Sequence, residues 1–183
     1  MKFLAKGKRG IVFKTTYKGK AVVVKEKRND SAAINSIENE AHWLRILNKE
    51  SIGPKMYSFS NGRLVMEYIG GEPFHKWFEK HRKKKGLVGN ILKKVLQQCY
   101  SMDRLSVEKK EMHRPIKHII VRDNKPILID FERCRKTLKP SNVTQFCQFL
   151  RRLKLMKQNK KLLSSYKKTM SRENLQKIQL LIK

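Results

Sequence analysis

Negative charge is what this sequence has least of. Its 183 residues hold 15 Asp plus Glu against 44 Lys plus Arg, a formal charge of +29. Lysine richness of the thermophile kind normally brings matching glutamate, which is missing here, so the imbalance points to a surface that faces polyanions. Cysteine is also scarce. Cys99, Cys134 and Cys147 are too few and too scattered for a zinc site or a disulfide framework, and they fit a reducing compartment. Long apolar runs are lacking too: MKFLAKGKRG has no signal-peptide core, and no run approaches a membrane span. These absences predict a soluble, cytoplasmic protein with no membrane partner. What is present suffices for folding. Hydrophobic residues make up 39% and aromatics 8%, so the chain is no disordered basic tail. Its length fits one domain or two small lobes sharing a cleft.

Short apolar runs and glycine turns open the chain. Ile11–Val12–Phe13 and Ala21–Val24 read as strands joined through Tyr17-Lys18-Gly19-Lys20. Before them, Gly7-Lys8-Arg9-Gly10-Ile11-Val12 sets two glycines three apart around two cations, which suits a backbone approaching a phosphate, although most such pairs are plain turns. Lys25 ends the run Val22–Val24, and a lysine at the end of a buried strand needs an anion nearby. The spacing predicts a helix over 31–48, with Ser31 as cap and Ile34, Ile37, Ala41 and Leu44 as its apolar stripe. At about 100° per residue, Glu40 falls within about 60° of Ile37, and Glu38 lies about 100° away on the other side. Glu40 therefore leans toward the core, where an ion pair with Lys25 is the simplest outcome, structural or functional.

Ile52-Gly53-Pro54 ends that helix, and Met56–Phe59 with Arg63–Tyr68 forms a hairpin around Asn61-Gly62. Ile69-Gly70-Gly71-Glu72-Pro73 reads as the boundary between a lobe over 1–69 and a mainly helical lobe over 70–183. In the second lobe, one helix begins with Phe74, Trp77 and Phe78 and runs into the cationic stretch His81–Lys85. Another, about Leu87 to Leu105, carries Ile91, Leu92, Val95, Leu96, Cys99 and Met102, a stripe that reads as core.

Lys117–Arg133 is the stretch around which the rest is organised. Ile119–Val121 and Ile127–Ile129 flank a polar turn at Arg122–Lys125. Closing that turn sets Val121 opposite Pro126 and His118 opposite Ile129, so that Lys117 and His118 converge on Asp130. The plain alternative is that Asp130 merely ends a strand. Further on, Phe146, Cys147, Leu150 and Leu153 show core spacing, with Asn142 as a candidate cap. The final 33 residues carry 11 Lys plus Arg and a single acid, Glu173. Leu175, Ile178, Leu181 and Ile182 give them an apolar face, hence a basic amphipathic helix. The fold class expected is α+β.

In this order the features resemble a minimal two-lobed protein kinase. Gly7 to Val12 resembles the second half of the kinase glycine loop, G-x-x-G-x-V. Val22–Lys25 is similar to the V-A-I-K strand, Glu40 to its ion-pair partner, and LVMEYI at Leu64–Ile69 to the strand entering the hinge, with Met66 as gatekeeper. Asp130-Phe131-Glu132 stands where D-F-G would be. More closely, ENEAHWLRILN, IGPKMY, MEYIGGEPF, HRPIKHIIV, ILIDFERCR and NVTQFCQFL resemble a family of small predicted serine/threonine protein kinases of archaea, relatives of the RIO and KEOPS-associated kinases. The resemblance covers about residues 3–150.

It implies an ATP-dependent serine/threonine protein kinase that moves the γ-phosphate to a protein hydroxyl, its own included. Gly7, Gly10, Val12, Lys25, Glu40, Met66, Glu67 and Ile69 would bind ATP, and Asp130 would hold Mg²⁺. The catalytic loop H-R-D-x-x-x-x-N has no clean copy. Counting back from His118 at the Asn position puts His113 at the catalytic Asp. Aligning Lys109-Lys110-Glu111-Met112 with the H-G-D-L form puts Glu111 there instead, and a carboxylate can both orient a hydroxyl and accept its proton. His118 as a second metal ligand suits Mn²⁺ better than Mg²⁺. D-F-E loses the flexible glycine, and the usual peptide-docking segment is reduced or absent. Two other readings stay open. One is a catalytically weak kinase-fold module that binds RNA or a ribonucleoprotein through its basic surface. The other is a small-molecule kinase, because antibiotic and sugar kinases share the D-F/W-E ending.

Overall fold

The computed structural model, which describes residues 1–6, 10–27 and 36–183, has α+β architecture. The chain forms two units, Met1–Gly70 with Ile129–Cys134, and Gly71–Leu128 with Arg135–Lys183. The split expected at 69/70 thus falls at 70/71, and Ile129–Cys134 belongs to the first unit. Gly7, Lys8, Arg9, Ser31 and Ile34 lie outside the described residues.

β-Branched runs build the first unit's sheet. Its strands are β1 (Lys2–Lys6), β2 (Gly10–Tyr17), β3 (Lys20–Lys27), β4 (Met56–Ser60) and β5 (Arg63–Glu67), and all neighbours pair antiparallel in the order β1-β2-β3-β5-β4. The central strand β3 buries Val22, Val23 and Val24, while the edge strand β1 is exposed along its length and carries Lys2 and Lys6. Charged edges of this kind discourage pairing with another chain. Two tight turns close the hairpins, Lys18-Gly19 and Asn61-Gly62, with both residues of each at positive φ. That is the turn whose twist matches paired strands. Helix α1 (Ser36–Leu47) packs on the sheet through Ile37, Glu40, Ala41, Leu44 and Leu47, a stripe of helical period.

The second unit is mainly helical. It contains β6 (Glu72–Pro73), α2 (Phe74–His81), α3 (Lys85–Arg104), β7 (Val107–Lys109), β8 (Ile119–Arg122), β9 (Lys125–Leu128), most of β10 (Cys134–Lys136), α4 (Asn142–Arg152), α5 (Lys160–Thr169) and α6 (Arg172–Gln179). Val88, Ile91, Leu92, Val95, Leu96, Cys99 and Met102 form the buried stripe of α3, against which α4 packs Phe146, Cys147 and Leu150. Burial pushes the Cys147 thiol up to about 12, and the Cys99 thiol is raised as well.

Several expectations are corrected here. The β8–β9 turn is narrower than Arg122–Lys125: Arg122 pairs with Lys125, and only Asp123-Asn124 turns, both at positive φ. Val121 does face Pro126, but the ladder ends at Ile119–Leu128. Lys117 lies in a 3-10 turn over Pro115–Lys117, and His118 follows it. The last basic stretch is two short helices, capped by the Asn159 and Ser171 side chains. Leu175 and Ile178 are buried in α6, whereas Ile182 lies beyond it and bridges to Met156.

Asn142 is not a cap. It is the first residue of α4, fully buried, with its side chain turned inward. Its amide donates to Asp103 Oδ1 (2.7 Å) and to the Val107 carbonyl (2.6 Å), and its Oδ1 accepts from Lys109 N (2.8 Å). Asp103 also accepts from Asn142 N, Val143 N and the Tyr166 hydroxyl, the last at 2.9 Å. Glu108 accepts from Ser141 (2.7 Å) and from the Arg135 guanidinium. These bonds fix β7, and with it the turn that carries Glu111.

Candidate functional site

Lys25 lies where β3 runs out of valines, so its stem starts in the core and its ammonium must find acids. Three are present in the first unit. Lys25 Nζ lies 2.6 Å from Glu40 Oε2, 3.0 Å from Glu132 Oε2 and 3.7 Å from Asp130 Oδ1. The Lys25 side chain is 11% exposed, Glu40 2%, Glu132 13% and Asp130 37%. Burial alone would lower the Lys25 pKa, but the charges of Glu40, Asp130 and Glu132 outweigh it and hold it above the ordinary lysine value.

Glu40 ties the cluster together. Its second oxygen accepts from the backbone N–H of Phe131 (3.1 Å), so one buried carboxylate holds both the lysine and the segment that carries Asp130. Asn39, one residue earlier on α1, donates to the carbonyls of Glu132 (2.8 Å) and Cys134 (3.0 Å), and Trp43 Nε1 in turn holds Asn39 Oδ1 (3.0 Å). Phe131 is fully buried over Gly53, whose missing side chain is essential: a Cβ there would lie 2.7 Å from Phe131 Cε2. Asp130 sits at φ 64, a left-handed conformation that Asp tolerates better than most residues.

Glu40, Asp130 and Glu132 bring carboxylate oxygens within 4.8 Å of one another. Among the described residues three carboxylates face one ammonium, and hard oxygen donors of this kind fit Mg²⁺. Both Glu40 oxygens and one Glu132 oxygen are engaged by Lys25 or the backbone. Asp130, the most exposed of the three, is the residue best placed to hold a cation.

The other residues singled out in the sequence fall as follows. Gly10 is buried at the start of β2, and a Cβ on it would meet Glu26 O at 3.0 Å and Lys25 Cε at 3.3 Å, so glycine allows the strand to lie close over the Lys25 stem. Val12 is paired with Lys25, and Met66, buried on β5, with Val23. Glu67 ends β5 with its carboxylate near Lys55 N (3.3 Å), and Ile69 is buried just beyond. Glu111, His113 and His118 belong to the second unit. Glu111 is half-buried, 4.0 Å from the fully buried ammonium of Lys109. His113 is exposed, its ring Nδ1 3.1 Å from the Lys110 carbonyl, and its own carbonyl accepts from Arg152. His118 is half-buried, and its N–H donates to the Pro115 carbonyl.

Sequence reasoning missed Glu132 and Asn39. Glu132 lies two residues after Asp130, and only that nearness in sequence hinted at its convergence on Lys25, because Asp130 at φ 64 breaks the extended alternation that would otherwise place both on one face. Asn39 had a weaker signal: asparagine is a poor interior helix residue and sits beside the inward Glu40. Set against known families and curated proteins, the chain matches no family model and no curated sequence.

Proposed function

We propose that this protein is an ATP-dependent phosphotransferase of protein-kinase-like architecture, with a serine or threonine hydroxyl of a protein as acceptor. The observation that carries the reading is the Lys25–Glu40 pair at 2.6 Å with Asp130 3.7 Å from the same ammonium. A strand lysine clamped by a helix glutamate presents one fixed positive charge to the α/β-phosphates. Gly10 keeps the strand above that lysine close, and Val12 and Met66, set by register beside Lys25 and Val23, would flank an adenine near Glu67 and Ile69. Asp130 would hold Mg²⁺, which when bound neutralises charge on the β- and γ-phosphates.

The remaining work falls to side chains. Glu111 is the base in this reading: its carboxylate orients the acceptor hydroxyl and takes its proton, while the Asp103–Asn142 network keeps its turn in place. Glu111 is preferred to His113, whose ring nitrogen is turned back onto the Lys110 carbonyl. Catalysis would be mainly positioning and charge neutralisation.

The test is transfer of labelled γ-phosphate from ATP, with Mg²⁺ or Mn²⁺, to the protein itself and to a generic protein acceptor. Wild type should label, and Asp130→Asn and Lys25→Ala should each reduce labelling about 100-fold or more. Equal labelling by all three proteins would sink the reading.

A further inference from the structure

Arg151 and Arg152 close α4, where cations complement the carbonyl end of a helix, and Lys154 follows at φ 58. The backbone then pairs with the last residues of the sequence. Lys157 N donates to Leu181 O (2.9 Å), and Lys183 N donates to Leu155 O (3.0 Å). This pairing brings Lys183 to the same open concavity as the two arginines, a space of about 590 Å³. Four cations line it, Arg151, Arg152, Lys154 and Lys183, together with the carboxamides of Gln148 and Gln158; Met156 supplies its one apolar wall. No acid is among the lining residues. The arginines are held in place, Arg151 by Gln158 Oε1 (2.7 Å) and Arg152 by the His113 carbonyl.

We infer that this concavity binds the sugar–phosphate backbone of RNA. Four cationic side chains without a lining acidic side chain suit successive phosphodiesters, and exposed Lys160, Lys161, Lys167 and Lys168 of α5 continue the positive field beyond them. Phosphates only accept hydrogen bonds and so cannot use the exposed Gln148 carboxamide oxygen, whereas a ribose 2′-hydroxyl donates to such an acceptor. No aromatic side chain lines the space, so bases have no stacking platform there, and recognition is of the backbone, independent of sequence. The inference does not depend on phosphotransfer and survives the failure of that reading.

Fluorescence anisotropy of a labelled oligouridine of about 20 nucleotides, titrated with the full chain over a KCl series, tests it. Arg151→Gln/Lys154→Asn/Lys183→Gln should raise Kd about 10-fold or more and flatten the salt slope by about 2, at about 0.7 per lost phosphate contact. Lys160→Gln/Lys161→Gln/Lys168→Gln removes the same charge outside the concavity and should raise Kd less than about 3-fold. An oligodeoxyuridine of equal length should bind more weakly than the RNA, Gln148→Ala should narrow that difference, and polyglutamate should not displace the RNA. Equal losses from the two triple variants, or no binding at all, would overturn the site. DNA bound as tightly as RNA, an unchanged preference in Gln148→Ala, or displacement by polyglutamate would overturn the assignment to RNA.

Discussion

Two polar clusters, one in each unit, use acids in opposite ways. Around Lys25, three carboxylates meet one ammonium, and the Asp130 side chain is 37% exposed. Around Asp103, one buried carboxylate accepts from two backbone N–H groups, one amide and one phenol, all uncharged. A carboxylate offers about four lone-pair sites, so four fixed donors leave Asp103 nothing for a ligand. The Lys25 cluster has three carboxylates to one ammonium among the described residues, and one of the three is partly exposed. The Asp103 arrangement specifies a structure, and the Lys25 arrangement leaves a carboxylate partly exposed, as a ligand-binding role requires.

The largest effect should come from emptying the saturated cluster. Asp103→Ala strands buried donors from Asn142, Val143 and Tyr166 and should cost about 4 kcal/mol in urea unfolding. Asp130→Asn should cost less than about 1 kcal/mol in the same experiment, because its carboxylate is partly solvated. Similar losses at both sites would erase the contrast between the clusters.

Gly53→Ala comes next. It places a Cβ against Phe131 at a backbone φ of 81, and both the contact and the conformation oppose it. About 2 kcal/mol of destabilisation is expected by thermal or urea unfolding. A neutral result would mean that the segment carrying Asp130 is packed less firmly than the contact with Phe131 requires.

The elements that were legible in the sequence are those whose causes are local. Asn61-Gly62 and Lys18-Gly19 signal hairpin turns by their tolerance of positive φ, and valines at 22–24 mark a buried strand. Glu40 was legible because helical phase alone turns it toward Ile37. What was illegible is long-range. Asn142 read as a cap because a polar residue before an apolar stripe usually is one, yet its partner Asp103 lies 39 residues away. Tyr166 meets the same carboxylate across 63 residues, and no local pattern announces that. The transfer of Ile129–Cys134 to the first unit depends on Asn39 reaching two of its carbonyls, again a contact between distant stretches.

A smaller effect should separate Glu132 from Glu40. Both hold Lys25, but Glu40 is buried and also fixes Phe131, whereas Glu132, in the proposed function, would compete with phosphate for the same ammonium. Glu132→Gln should therefore tighten ATP binding about 3-fold, close to the worth of one partly exposed ion pair. Glu40→Gln should weaken it. Identical changes from both variants would refute this division of roles.

The smallest effects are in pH dependence, where both clusters should lose stability as pH rises but in different windows, alkaline for Lys25 and acidic for Asp103. Lys25 titrates above its ordinary value of 10.5 in the folded state, so the stability it draws from the acids is full below that pH and is lost as pH rises through the folded value. The melting-temperature gap between wild type and Lys25→Met should stay level through neutral pH and narrow only in alkali. Burial raises the Asp103 pKa above 3.8 despite its hydrogen bonds, so the native state holds that proton more tightly than the unfolded chain. Relative to Asp103→Asn, wild-type stability should fall as pH rises through and above 3.8. A rise over that range would contradict the saturated, desolvated picture of this carboxyl.

The most direct test of the central claim, that the Lys25 cluster is built to receive phosphate, is isothermal titration of ATP with Mg²⁺ into wild type and Lys25→Ala. Saturable binding to wild type that disappears in Lys25→Ala is the expected result. No binding by wild type, or binding that Lys25→Ala leaves intact, would contradict it.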